Sequence, residues 1–413
     1  MKQSNFREFP IDNASILFLS LMRPNHTNTF RFSLQLRKPV DPEILQQAVN
    51  NIHPRFPSVI AGLHQEFFHY RQVAAEKAPR VRQDPGLLIP MGKEELAECG
   101  FRVYYRDNTI TVEVFHALTD GHGTLVVLTA LATEYLRLRN DSQEVTALTI
   151  PGKPQVCEVV DSYWEMSQHK PRRLPSRFSY LLPRPADADW QVRSSALTVD
   201  TKKLLNAAHR YGVTLNTLLT TLLAHTVMQM QQEDRSVRRL KPVRIMVPVD
   251  VRKLANSRTL RNCSLYALPT MEAHHRDYSL RHLCQVFAGQ LQDQLSSETL
   301  SGMASYNVRT QNTWYFKLLP WKLKAAALRI GYRFFGESNS SLTLTNLGRV
   351  SLPEELQPHV SDLHCFMTPR VTSPYGCTVM TFGDKLTLNM SRFCPEDQLG
   401  KRYFEKILSV LEG

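Results

Sequence analysis

The sequence predicts an α/β protein made of two halves that repeat one order of elements. A chain of 413 residues, 42% hydrophobic, can build one very large core or two ordinary ones, and two is the better expectation. An alternating strand followed by an Asp and a helical run occurs at residues 28–37 with Asp41, and again at 192–199 with Asp200. Between them, residues 140–190 carry Pro151, Pro154, Pro171, Pro175, Pro183 and Pro185 and little sustained periodicity, which reads as a linker. The chain is accordingly divided into a first half, 1–150, a Pro-rich linker, 151–190, and a second half, 191–413.

In the first half, Phe30, Phe32, Leu34 and Leu36 alternate with polar residues, the pattern of a strand with one buried face. Asp41-Pro42 supplies a cap and a first-turn proline for a helix through Ile44, Leu45, Ala48, Val49 and Ile52, which His53-Pro54 ends. Strands follow near 63–75 and 101–115, the latter folded at Asp107-Asn108. After Phe115 the period changes. From Thr124, the residues Leu125, Val126, Leu128, Leu131, Ala132, Tyr135 and Leu136 recur at three and four, a helix with a buried face. Gly121 and Gly123 mark the join, where positive φ or a close approach is expected.

The linker holds a short predicted helix around 159–168 and a basic cluster, Lys170, Arg172, Arg173 and Arg177, read as a solvated loop in preference to a docking site for a carrier protein. In the second half, Asp200 starts a helix over 201–209, and Thr214 caps an apolar helix over 215–230 that carries His225, read as a core or flanking histidine. Residues 244–249 form an apolar strand ending in Asp250, Val251 and Arg252. An amphipathic helix over 280–295 precedes a basic, aromatic-rich stretch, 316–335, that reads as two helices broken at Pro320. Peripheral membrane contact by that stretch is the alternative. Strands at 341–345, 360–367, 376–382 and 385–393, with Gly383-Asp384 as a hairpin turn, lead to a closing helix over 397–411.

Composition narrows the function. No apolar run approaches a membrane span, and MKQSNFREFP has neither an apolar core nor a cleavage site, so a cytoplasmic protein is expected, as a monomer. Seven scattered Cys without CxxC pairs argue against a disulfide framework or a zinc site. The net charge of +12 comes without a helix-turn-helix, RRM or zinc-finger pattern, so no nucleic acid partner is expected. Coenzyme A phosphates or an acidic carrier protein would suit such a surface, as would plain solvation.

The chemistry points to the strand end. His116 stands where a strand stops, and a neutral imidazole can take a proton from a hydroxyl or amine near pH 7 if its tautomer and position are fixed. Asp120, four residues on, could bond the ring, cap the following helix, or lock the turn through an Arg. An Arg leaving a buried strand end, such as Arg252, can reach a carboxylate in an adjoining site with its planar fork. His122 with His116 and Asp120 would make a partial ligand set, but no fourth ligand is spaced to help, and no metal is expected.

HALTDG (116–121) resembles the HxxxDG signature of the chloramphenicol acetyltransferase-like superfamily. That group includes BAHD acyltransferases, condensation domains of peptide synthetases, alcohol acetyltransferases and mycobacterial lipid acyltransferases. Four further stretches agree in order: HPRFPSVIAGL (53–63), GVTLNTLLTTLLAHTV (212–227), VPVDVRK (247–253) followed by Asn262, and LTNLGRV (344–350). The resemblance covers nearly the whole chain. It implies two chloramphenicol acetyltransferase-like halves, each a mixed sheet flanked by helices, meeting at a central tunnel with His116 at its middle.

The same resemblance implies an acyltransferase in which His116 is the general base and Asp120 and Gly121 shape the motif. In condensation-type relatives an Arg of the 53–63 segment pairs with the motif Asp, so Arg55 joins Arg252 as a candidate partner, and the sequence does not choose. Thr343, Thr345 and Asn346 are candidates for steadying an oxyanion or lining the tunnel. An acyl-CoA thioester would be the co-substrate, with no permanent cofactor, and a small alcohol or amine the acceptor. A carrier-protein-dependent condensation-type enzyme and a non-catalytic binder on the same scaffold are the alternatives. This chain lacks the DFGWG run of the BAHD enzymes, and has Phe115 where condensation domains usually carry a second His. Both departures favour the bacterial alcohol acetyltransferase branch, by elimination.

Overall fold

The structure is a computed structural model that describes residues 6–23, 26, 28–140, 152–183, 190–274, 278–335 and 337–412. It is the mixed α/β architecture the sequence predicts. The first part runs β1 (Glu8–Pro10), α1 (Asn13–Leu21), β2 (Thr29–Leu36), α2 (Pro42–Ile52), β3 (Ala61–Gln65), β4 (Tyr70–Ala74), β5 (Val81–Gln83), α3 (Lys93–Glu98), β6 (Phe101–Arg106), β7 (Thr109–Phe115) and α4 (Gly121–Arg139). The caps are those the residues dictate. Asp41 accepts from the amides of Glu43 and Ile44, Asp107 turns the β6–β7 hairpin at φ 51°, and Asn140 closes α4 at φ 56°.

After a short helix, α5 (Tyr163–Met166), come β8 (Arg193–Asp200), α6 (Thr201–Arg210), α7 (Leu215–Glu233), β9 (Val243–Asp250), β10 (Ser264–Ala267) and β11 (Thr270–Met271). Then follow α8 (Leu280–Gln294), α9 (Ser297–Gln311), α10 (Trp314–Leu318), α11 (Trp321–Phe335), β12 (Leu342–Val350), β13 (Val360–Met367), β14 (Tyr375–Phe382), β15 (Lys385–Arg392) and α12 (Gln398–Glu412).

Among the described residues the strands form three sheets, ordered β1-β4-β3, β13-β2-β7-β6-β5 and β10-β9-β12-β14-β15-β8, with β11 also on β9. The second sheet buries Phe32, Leu34, Ile110 and Val112 with Leu45 and Val49 of α2 and Leu128 and Leu131 of α4. The third buries Ile245, Leu344, Val379 and Leu388 with helices α6, α7, α8 and α12. In the third sheet β12 runs parallel to both β9 and β14; the chain from β9 to β12 passes through helices α8 to α11, and the chain from β12 to β14 passes through β13 in the second sheet.

Two features depart from the sequence expectations. β13 pairs antiparallel with β2 and thus completes the sheet of the first half, because its buried Val360, Leu363 and Cys365 belong to that core. The helix expected over 159–168 is only the single turn α5, anchored by Tyr163, whose hydroxyl donates to the Ser264 carbonyl. The basic cluster is an exposed loop, as expected, and two of its members also touch α9: Arg172 donates to Thr299, and Arg173 lies over the Tyr306 ring. The expected junction near residue 150, with Pro151 and Pro185, lies outside the described residues.

Candidate active site

The edge where β7 ends is fixed by its pairing with β2. Thr29 stands opposite Phe115, and the next amide, of His116, donates to the Asn28 carbonyl at 2.8 Å. The chain turns over Ala117–Asp120 and enters α4, with Asp120 as its N-cap accepting from the Gly123 amide at 3.2 Å. The glycines serve close approach rather than positive φ. A Cβ on Gly123 would collide with the Leu260 carbonyl and Thr119 Oγ1, and one on Gly121 would stand 2.7 Å from Leu347 Cδ2.

Two remote segments thus meet the turn, the 252–263 loop and the end of β12. From the end of β9, Arg252 Nη2 donates to Asp120 Oδ1 at 2.8 Å, and Cys263 donates its amide to Asp120 Oδ2 at 3.0 Å. The same guanidinium also donates to the Thr259 and Arg261 carbonyls and, at 3.1 Å, to Asp250. Burial pushes the Arg252 pKa down, but Asp120 opposite outweighs it and leaves the group above its ordinary value. Arg55 forms a bidentate pair with Glu158 instead, at 2.6 and 2.5 Å. It reaches the turn only indirectly, since the Glu158 carbonyl accepts from the Leu260 amide.

His116 itself is tightly held. Its Nδ1 lies 3.2 Å from Asn262 Oδ1, while Asn262 Nδ2 donates to the His116 carbonyl at 3.0 Å and to Asp12 Oδ2 at 3.2 Å. With both acceptors on its nitrogen side, the amide can only offer oxygen to the ring, so Nδ1 carries the proton and Nε2 the lone pair. Asp12 is in turn held by Ser15, whose hydroxyl also donates to the Ala117 carbonyl. Phe18 stacks on the imidazole at 4.1 Å and Phe30 meets it edge-on at 4.9 Å. Burial holds the His116 pKa below its ordinary value, against the opposing pull of its own carbonyl, Asp120 and Asn262. A neutral imidazole with a fixed tautomer is thereby available near pH 7.

The remaining sequence candidates lie on β12. Leu347 rests on Gly121, so the bend at Asn346, Leu347 and Gly348, with Gly348 at φ 70°, meets the His116 turn. Asn346 donates to Asn216 at 3.3 Å and accepts from the Gly348 amide. The Thr345 hydroxyl is buried without a hydrogen-bond partner, and Thr343 lies buried in the sheet, paired with Met246 and Gly376. Asn262 is the residue that sequence reasoning used only as a spacing marker. Its signal was its place after VPVDVRK, in a loop with no periodicity to assign it a neighbour.

A cavity of about 190 Å³ lies beside the site, between the end of α1, α11 and the turn at Arg370. His116 does not line it. Asn28, which holds the His116 amide, does, and so does Leu21, roughly one helical turn (~5.4 Å) beyond Phe18.

No family model matches the chain, and no curated protein matches it. Solved structures do. The first condensation domain of the calcium-dependent antibiotic synthetase, in complex with a substrate analogue, matches at a TM-score of 0.62 and 13% identity, covering 100% of this chain and 98% of that one. TRI3 trichothecene 15-O-acetyltransferase from Fusarium sporotrichioides matches at 0.61 and 10% identity, over 99% and 96% of the two chains. TRI101 from the same fungus, solved with coenzyme A and T-2, matches at 0.59 and 13% identity, over 96% of each. The chain therefore has the two-lobed fold that condensation domains share with these acetyltransferases, over essentially its whole length.

Proposed function

We propose that this protein is an acyltransferase that moves an acyl group from an acyl thioester, acyl-CoA foremost, to a hydroxyl or amine acceptor. The observation that carries the reading is the His116 ring, with Nδ1 held by Asn262 and a pKa kept low by burial against Phe18 and Phe30. Such a ring presents Nε2 as a base without an activating metal. Nε2 takes the proton of the acceptor as its oxygen or nitrogen attacks the thioester carbonyl. The tetrahedral intermediate then collapses, the C–S bond breaks, and the same proton passes to the departing thiolate. The unpartnered Thr345 hydroxyl, with Thr343 and Asn346 beside it on β12, is the candidate donor to the oxyanion. Asp120, tied to Arg252, holds the turn and takes no part in proton transfer. The reading sets His116 between the halves 1–150 and 191–413, with donor and acceptor approaching from opposite sides.

A structure of TRI101 with coenzyme A supports that donor for the fold. The test is release of free thiol from a panel of acyl-CoAs with a small library of alcohols and amines, followed by mass spectrometry of the products. Turnover that disappears in His116→Ala is expected. Turnover that appears only with an acylated carrier protein would replace the CoA donor with a carrier. No thiol above the His116→Ala background with either donor would make the protein a binder.

A further inference from the structure

The surface of α10 and α11 gathers exposed apolar side chains with those of the neighbouring β3–β4 turn. Phe67, Trp314, Tyr315, Leu318, Leu323 and Ile330 are each between 58% and 74% exposed. They form one flank. The Trp321 amide donates to the Phe67 carbonyl at 2.8 Å, Lys324 donates to the Phe68 carbonyl and lies 4.8 Å over the Phe316 ring, and Trp314 stacks edge-on with Tyr315. On α11 the inward side is Trp321, Lys324 and Ala325, which leaves Leu323, Ala326, Ala327 and Ile330 outward. Isolated exposed apolar residues need no explanation, but a contiguous set does.

Charge chooses the occupant. From Trp314 to Phe335 the sequence has no Asp or Glu and five cations, of which Lys324 is buried and Lys317, Lys322, Arg329 and Arg333 are exposed. The neighbouring Glu66 is taken up by Arg71. A second copy binding through the same patch would set these cations against themselves, since a two-fold interface is self-facing. Aromatic rings and Leu at the tip with Lys and Arg around them match a bilayer interface, where rings sit at headgroup level and cations meet anionic lipid. No described helix is long and apolar enough to cross a membrane, so contact would be peripheral.

We propose that the α10–α11 flank docks this protein onto an anionic lipid surface. The flank is continuous with the cavity beside the candidate site. Ile330 and Arg333 line that cavity, and Arg329 joins α11 to α1 by donating to the Ser20 carbonyl, on the helix that carries Phe18. Docking would turn the cavity mouth toward lipid and favour a membrane-borne amphipathic acceptor, a consequence that rests on the acyltransferase reading where docking itself does not.

Flotation of the full chain with phosphatidylcholine vesicles, and with vesicles containing phosphatidylglycerol as well, tests it. Binding is expected on the mixed vesicles, weakening as salt is raised. Each of Lys317→Gln and Lys322→Gln is expected to weaken it roughly fivefold, and Trp314→Ser with Leu318→Ser to abolish it. His116→Ala should bind as the parent does, so a failed acyltransferase reading leaves the docking result intact. In an acyl-transfer assay, the two Lys variants should lose rate with a long-chain alcohol embedded in mixed vesicles and keep it with the same alcohol in detergent. Equal loss in both would overturn delivery. No preference for the mixed vesicles, or a dimer in solution that Leu318→Ser dissociates, would overturn docking.

Discussion

Replacing Asp120 by Asn removes the charge that Arg252 faces and one of the two oxygens that hold the turn. Asn caps a helix about as well as Asp, so the start of α4 is preserved. The carboxylate, however, accepts from Arg252, Gly123 and Cys263 at once, and an amide offers one acceptor atom and one donor. Either the guanidinium or the Cys263 amide then meets an N–H. Both side chains of the ion pair are under a tenth exposed, so the guanidinium is left with carbonyls and the half-exposed Asp250. Breaking a buried pair from one side costs about 3–5 kcal/mol. In a urea titration followed by circular dichroism, that loss moves the midpoint down by about 1–1.7 M for an m-value near 3 kcal/mol/M. The double variant Asp120→Asn with Arg252→Met, which leaves no charge to strand, should regain much of the loss. A single variant as stable as the parent yet without turnover would refute the reasoning and move Asp120 into the chemistry.

Because burial lowers the His116 pKa, the acid limb of a rate profile should break below pH 6.5 rather than at it. The sign for stability follows: below 6.5 the unfolded chain binds a proton the native ring refuses, so stability falls as pH falls toward the depressed value, and His116→Gln should flatten that window. Asn262→Ala frees the ring to take either tautomer and should lower kcat by about 10²-fold, within the range of general-base catalysis, while KM for the thioester changes little. Gly123→Ala drives a methyl into the Leu260 carbonyl and should cost about 1–3 kcal/mol by thermal or urea unfolding. An unchanged midpoint would mean that the 253–263 loop yields freely.

Elements whose signals are local were legible in the sequence. Asp41, Asp200 and Thr214 each accept the backbone amide that their residue type promises, and the 3.6-residue run after Gly121 is helical throughout. The strand at 360–367 was legible as well, but not its partner. Alternation specifies that one face is buried and says nothing about which sheet buries it, and β13 is placed by pairing with β2, over 300 positions away. The helix expected at 159–168 failed for the opposite reason. Its residues are drawn into tertiary contacts, with the Tyr163 hydroxyl on the Ser264 carbonyl and Asp161 accepting the Asn13 amide, and the backbone does not continue a second turn.

Arg55 and Arg252 show what sequence reading of a site omits. Both stand just past the end of a regular element, both are buried, and both meet a carboxylate, Arg55 through two nitrogens on Glu158 and Arg252 through Nη2 on Asp120. What separates them is Glu158, a residue of the linker that offered no periodicity to place it. Once Glu158 occupies Arg55, the Asp120 carboxylate is left to Arg252, just past the end of β9. The two pairs are then not rivals but successive links: Arg55 fixes Glu158, the Glu158 carbonyl fixes Leu260, and the carbonyls of Thr259 and Arg261 beside it aim Arg252 at Asp120. Asn262, the next residue, is thereby set against His116. Loss of Arg55 should therefore act on the imidazole through this loop, lowering stability and blurring the His116 tautomer together, although Arg55 never touches the turn itself.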